Sequence, residues 1–149
     1  MINPAVNLND VPQAIQLALG PVFLLTGIAG LLNVMTGRLA RIIDRGRALT
    51  ESAASAGSSE RASRQDELRG LERRRHLASA AITACTLSAL LVCMVITALF
   101  VEVMIDARLE AVVGVLFAVA ALALVGGLAF FLREVHLATR TVRIPHDLK

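Results

Sequence analysis

Three apolar stretches, Ala14 to Met35, Leu77 to Val101 and Leu109 to Leu132, are separated by polar segments, and only the third contains a charge, Glu110 at its start. A helix rises about 1.5 Å per residue and the hydrocarbon core is about 30 Å thick, so roughly 20 apolar residues cross a bilayer. All three stretches pass. The pattern predicts an all-α integral membrane protein of three helices, with spans at about 14–35, 77–101 and 109–132. An antiparallel helical hairpin over about 36–76 extends from the membrane. Residues 1–149 leave no room for a separate soluble domain of usual size, so the expectation is one membrane domain.

Local signals place the helix ends. Asp10 caps a first helix that opens with Val11 and Pro12. Gly20 and Pro21 then predict a kink, or a short interfacial helix before the true span, because Pro21 lacks the amide hydrogen that would reach Leu17. Beyond Met35, Leu39, Ile42, Ile43 and Leu49 keep helical spacing among arginines, so the helix continues past the apolar stretch. The run Thr50 to Ser59, TESAASAGSS, reads as a turn. Glu60 opens a second helix that passes Gly70 and leads into the second span. After Leu132 the third helix continues until Ile144 and Pro145 stop it.

Two rows at alternating steps of four and three suggest how the helices meet. Leu19, Phe23, Thr26, Gly30, Asn33, Gly37, Ala40 and Asp44 form one; Gln65, Arg69, Glu72, His76, Ser79, Thr83, Thr86, Leu90, Cys93 and Thr97 form the other. Such spacing keeps one face against a partner through a left-handed supercoil. In an antiparallel pair whose facing residue numbers sum to about 112, Phe23 meets Leu90, Thr26 meets Thr86, Asn33 meets Ser79, Asp44 meets Arg69, and the turn falls at Ala56. Hydroxyl and amide bonds between helices contribute about 0.6 to 2 kcal/mol each in lipid. Thr26, Gly30, Asn33, Ser79, Thr83 and Thr86 are therefore the candidate helix-packing residues, or the lining of a pore. In span three, Ala111, Gly114, Ala118 and Ala121 form a small-residue stripe expected on a neighbour, with Leu, Val and Phe toward lipid.

Charge sets the expected orientation. The segment between spans one and two holds Arg38, Arg41, Arg45, Arg47, Arg61, Arg64, Arg69, Arg73, Arg74 and Arg75, while nothing before Arg38 is basic. Lys and Arg are retained on the cytoplasmic side, so the N-terminus is expected outside and the hairpin and C-terminus inside. Glu102, Asp106 and Glu110 against Arg108 agree with an outer loop. The first span lacks a basic leader and exceeds a signal-peptide core in length, so it is expected to stay attached. A 56% hydrophobic content suits the class, and the absence of Trp and Tyr means there is no aromatic belt of those residues. Cys85 and Cys93 lie about 80° apart on one helix and cannot pair with each other there; they read as small apolar residues.

Candidate chemistry is sparse. Arg38, Arg41, Asp44, Arg45, Arg69, Arg73, Arg74 and Arg75 form a cytoplasmic charge cluster facing an anionic leaflet, where each basic residue contributes about 1 kcal/mol of attraction. Interleaved acids favour pairs such as Glu60 with Arg64 and Asp44 with Arg69. His76 and His136 give an incomplete metal ligand set, so no metal is expected. Ser79, Thr83 and Cys85 lack a nearby His with a carboxylate orienter, so neither an enzyme nor a cofactor site is expected. Nucleic acid is a poor partner, with no aromatic interleaving and no module.

The segments PVFLLTGIAGLLNVMTGRLARIIDRGRAL, LERRRHL and FFLREVHLATR resemble the small bacterial membrane-protein family known as domain of unknown function 2721. The run Asn33, Arg38, Arg41, Asp44 and Arg45 is the most specific part. The resemblance implies a three-span bacterial inner-membrane protein and brings no activity or binding residues. The function expected from the residues is a non-enzymatic, self-associating membrane protein whose arginine-rich hairpin is a structural or interaction element. Its partners would be anionic lipids, further copies of itself and an unidentified protein. The alternative is a small ion or solute channel built as a homo-oligomer, with a ring of charges selecting ions.

Overall fold

The computed structural model describes residues 10–53, 58–105 and 108–141, and every described element is a helix. Helix α1 is Asp10–Ala53, α2 is Ser58–Ile105 and α3 is Glu110–Thr141. All three are long and apolar enough to cross a membrane, over Val11–Glu51, Leu68–Ile105 and Glu110–Ala138. At about 1.5 Å per residue, α1 and α2 are about 66 and 72 Å long, roughly twice the hydrocarbon thickness. Both therefore reach well past the bilayer.

Helix α1 starts at the expected Asp10 and runs unbroken through Pro21. A separate interfacial helix before the span is thereby excluded. The missing Pro21 amide removes one bond of a long ladder, and the side chain is buried among neighbours. Helix α2 opens at Ser58, two residues before the expected Glu60. The turn expected at Ala56 and the stop at Ile144 and Pro145 lie outside the described residues.

Two compact units divide the described chain, one within Met1–Leu32 and Ala84–Val125, the other within Asn33–Thr83 and Gly126–Lys149. Each helix contributes to both. In the first unit the buried residues are Ala14, Ala18, Pro21 and Ile28 of α1, Cys85, Ser88, Val92 and Val95 of α2, and Ala120 of α3. In the second they are Met35, Ile42 and Leu49 of α1, Ala78 and Ala81 of α2, and Gly127 and Glu134 of α3. In that unit α1 and α2 run antiparallel: Thr50, near the end of α1, and Leu68, nearer the start of α2, line one recess, while Arg38 and Arg74, each farther from those helix ends, line another.

The buried rows keep heptad spacing, but they are not the rows expected. Every described position of the two weakly polar rows is exposed, from Phe23 at 73% to Thr97. On α1 the buried row lies two positions away, about 200° round the helix. Thr26 and Thr86 therefore do not face each other, and neither do Asn33 and Ser79. Among the described residues no ion pair joins Asp44 to Arg69. Of the stripe Ala111, Gly114, Ala118 and Ala121, the first three are exposed and Ala121 is half-buried, while Ala120, Gly127 and Glu134 are the buried positions of α3.

The reason is physical. Lipid is as apolar as Leu, so polarity does not drive a side chain inward; close approach of small residues does. Ala78, Ala81, Cys85 and Ser88 supply that on α2. The threonines satisfy themselves locally: Thr26 Oγ1 donates to the Val22 carbonyl at 3.2 Å, Thr83 Oγ1 to Ser79 at 2.9 Å and Thr97 Oγ1 to Cys93 at 2.9 Å. A hydroxyl bonded to its own helix carries little cost when it faces outward.

Candidate functional site

In the second unit one carboxylate gathers two helices onto a third. Glu134 lies on α3, two residues beyond the last apolar position of its span, and is only 1% exposed. Arg74 of α2 donates from Nε at 3.2 Å and from Nη2 at 3.0 Å to Glu134 Oε1. Arg38 of α1 approaches the other oxygen, its Nε 3.5 Å from Oε2. That approach is a charge contact without hydrogen-bond geometry, so Oε2 is a buried acceptor with no hydrogen bond. The Arg38 guanidinium carbon also sits 5.5 Å from the centre of the Phe131 ring, one turn before Glu134.

A buried carboxylate costs several kcal/mol in lost hydration, and a counter-charge with good geometry offsets it. Glu134 has two. Arg38 and Arg74 remain partly exposed, at 30% and 25% for their side chains. The cluster thus ties α1, α2 and α3 together at one end of the apolar stretches and keeps donors open to the surroundings.

Of the arginine cluster expected from sequence, Arg38 and Arg74 converge on Glu134. Arg41, Asp44, Arg45, Arg69, Arg73 and Arg75 are exposed. Arg41 Nε donates to the Gly37 carbonyl of its own helix at 3.3 Å. Arg38, Arg41, Arg45 and Arg74 border a single recess of about 470 Å³ whose lining also includes the apolar Val34, Ile42 and Leu71. Thr26, Gly30 and Thr86 in the first unit, and Asn33, Ser79 and Thr83 in the second, all lie on exposed faces. Among the described residues no hydrogen bond engages the Asn33 side-chain amide.

Sequence reasoning missed two residues. Glu134 had a signal: it is the only acid between Glu110 and Asp147, it stands among basic residues, and it falls seven positions after Gly127 and fourteen after Ala120 on the buried heptad row. Ser88 had none, since it is one hydroxyl among several; it is fully buried and donates to the Ala120 carbonyl at 2.7 Å, joining α2 to α3 in the first unit.

Among the described residues no group of three or more His, Cys, Asp or Glu side chains is placed to hold a metal ion. His76 and His136 are both exposed. Cys85 and Cys93 are free thiols.

Arg38, Arg74 and Glu134 come one from each of the three segments that carry the sequence resemblance, so those segments meet at a single charged cluster. No curated protein and no solved structure matches the chain. A family model does match, over residues 18–144, and the chain belongs to that family, described as a protein of unknown function (DUF2721).

Proposed function

We propose that this chain is a non-enzymatic, self-associating protein of the bacterial inner membrane, with its N-terminus outside, its C-terminus in the cytoplasm and its arginine-rich hairpin acting as a structural or interaction element. The observation that carries the reading is Asn33. Its amide lies on an exposed face of α1 within a candidate span and has no hydrogen-bond partner among the described residues. Unlike a threonine hydroxyl, it is not satisfied on its own helix. Facing hydrocarbon, an unpaired amide costs about 2 to 7 kcal/mol depending on the reference state. A second copy offering the same amide, or a hydroxyl, removes much of that cost. The arginine excess after the first span supports the orientation.

Asn33→Leu tests the assembly. It should weaken association roughly 3- to 30-fold per interface, the range expected for one interhelical polar contact, as read by light scattering across detergent dilution. Association unchanged by the substitution would remove the basis of the reading. The exposed polar rows on both helices also favour a second reading, an oligomer that conducts an ion or small solute. There, single cysteines at positions 26 and 33, in a protein lacking Cys85 and Cys93, would react with a membrane-impermeant thiol reagent; protection throughout the span would exclude it.

A further inference from the structure

We propose that the recess bordered by Arg38, Arg41, Arg45 and Arg74 binds the phosphate of an anionic phospholipid headgroup. Four arginines line it, against one carboxylate, Glu134, that contacts two of them. An open concavity of about 470 Å³ lies within the size range of small-ligand sites. A guanidinium is a planar fork of five N–H donors that matches phosphate oxygens in pairs. Glu134 takes Nε and Nη2 of Arg74 through a single oxygen and approaches Nε of Arg38, so both arginines are held at one edge of a five-donor fork.

Two observations favour a lipid over a soluble anion. Arg38 is the first charged residue after the apolar stretch of α1, which puts the recess where leaflet phosphates lie. Its lining continues into apolar side chains, Val34, Ile42 and Leu71, and Val34 is more than half exposed, giving an acyl chain a surface to follow. Free phosphate has no use for that surface. The site is independent of self-association: every residue named belongs to one chain and one compact unit.

The test uses the full chain in detergent micelles and native mass spectrometry with phosphatidylglycerol, phosphatidylcholine and inorganic phosphate as probes. Phosphatidylglycerol should bind roughly tenfold better than phosphatidylcholine, and excess inorganic phosphate should not displace it. The double substitution Arg41→Gln with Arg45→Gln should weaken phosphatidylglycerol binding roughly tenfold or more. Arg73→Gln with Arg133→Gln, which removes the same charge from exposed positions outside the recess lining, should change it less than about twofold. In the unsubstituted protein, phosphatidylglycerol and not phosphatidylcholine should protect Arg41 and Arg45 from phenylglyoxal, a readout that does not depend on any variant folding. Equal losses in the two double variants would reduce the effect to diffuse attraction and overturn the site. So would the lack of a preference for the anionic lipid, the lack of protection, or displacement by inorganic phosphate.

Discussion

Arg74 places two nitrogens, at 3.0 and 3.2 Å, on one oxygen of Glu134, a residue 60 positions later in the chain, and leaves the other oxygen facing Arg38. The carboxylate is buried while the arginines are only half so. Removing its charge takes away the one acid that holds two guanidiniums together. Glu134→Gln should therefore cost about 3 kcal/mol, the lower end for a broken buried pair because the arginines stay partly solvated. Arg74→Gln combined with Glu134→Gln should cost less than the sum of the two single substitutions, since neither partner is then left charged and alone. Circular dichroism at 222 nm during unfolding in mixed micelles checks both, and a Glu134→Gln protein as stable as its parent would contradict the pairing.

Ser88 is a different kind of tie. Its hydroxyl reaches the Ala120 carbonyl at 2.7 Å in a site without solvent. Interhelical hydrogen bonds in membranes average about 0.6 kcal/mol and reach about 1.7. Ser88→Ala keeps the small size that lets α2 approach α3 and should cost about 1 kcal/mol. Ser88→Val also adds volume to a filled contact and should cost about 1 to 3 kcal/mol more. The same unfolding measurement, with Thr97→Val as an exposed control, separates the bond from the packing.

Much of the architecture was legible in the residues. Apolar length marks the three helices, and the buried rows repeat at the heptad spacing expected of packed helices. The face was not legible. Thr26, Thr83 and Thr97 look like helix-pairing groups until their hydroxyls are seen bonded to their own helices. Ala78, Ala81 and Ala120 look unremarkable until close approach, rather than polarity, is taken as the determinant in lipid. Glu134 stood out as a lone acid among basic residues, but the partners that make it a buried tie come from two other helices and are not local to residues 130–138.

The face on α2 can be tested by size. Ala81 is fully buried and Thr83, two positions on, is exposed. Ala81→Leu forces a branched side chain into a closed contact and should cost about 1 to 3 kcal/mol or more. Thr83→Leu adds its bulk on an exposed face and should change stability by less than about 0.5 kcal/mol. The reverse order of effects would restore the weakly polar row as the intramolecular contact.

The two native thiols report the same geometry without any substitution. Cys85 belongs to the buried row of α2, whereas Cys93 belongs to the outward row with Ser79, Thr83 and Thr86. In micelles dilute enough to hold single chains, N-ethylmaleimide should add once per chain, at Cys93, and Cys93→Ala should abolish the adduct. Reaction at Cys85 should require denaturation in SDS. Two adducts on the folded protein would contradict the assignment of the buried row. The reagent also probes assembly, because Cys93 is covered only if a second copy packs on the outward row: raising the protein-to-detergent ratio should then slow labelling of Cys93, and Asn33→Leu should restore it.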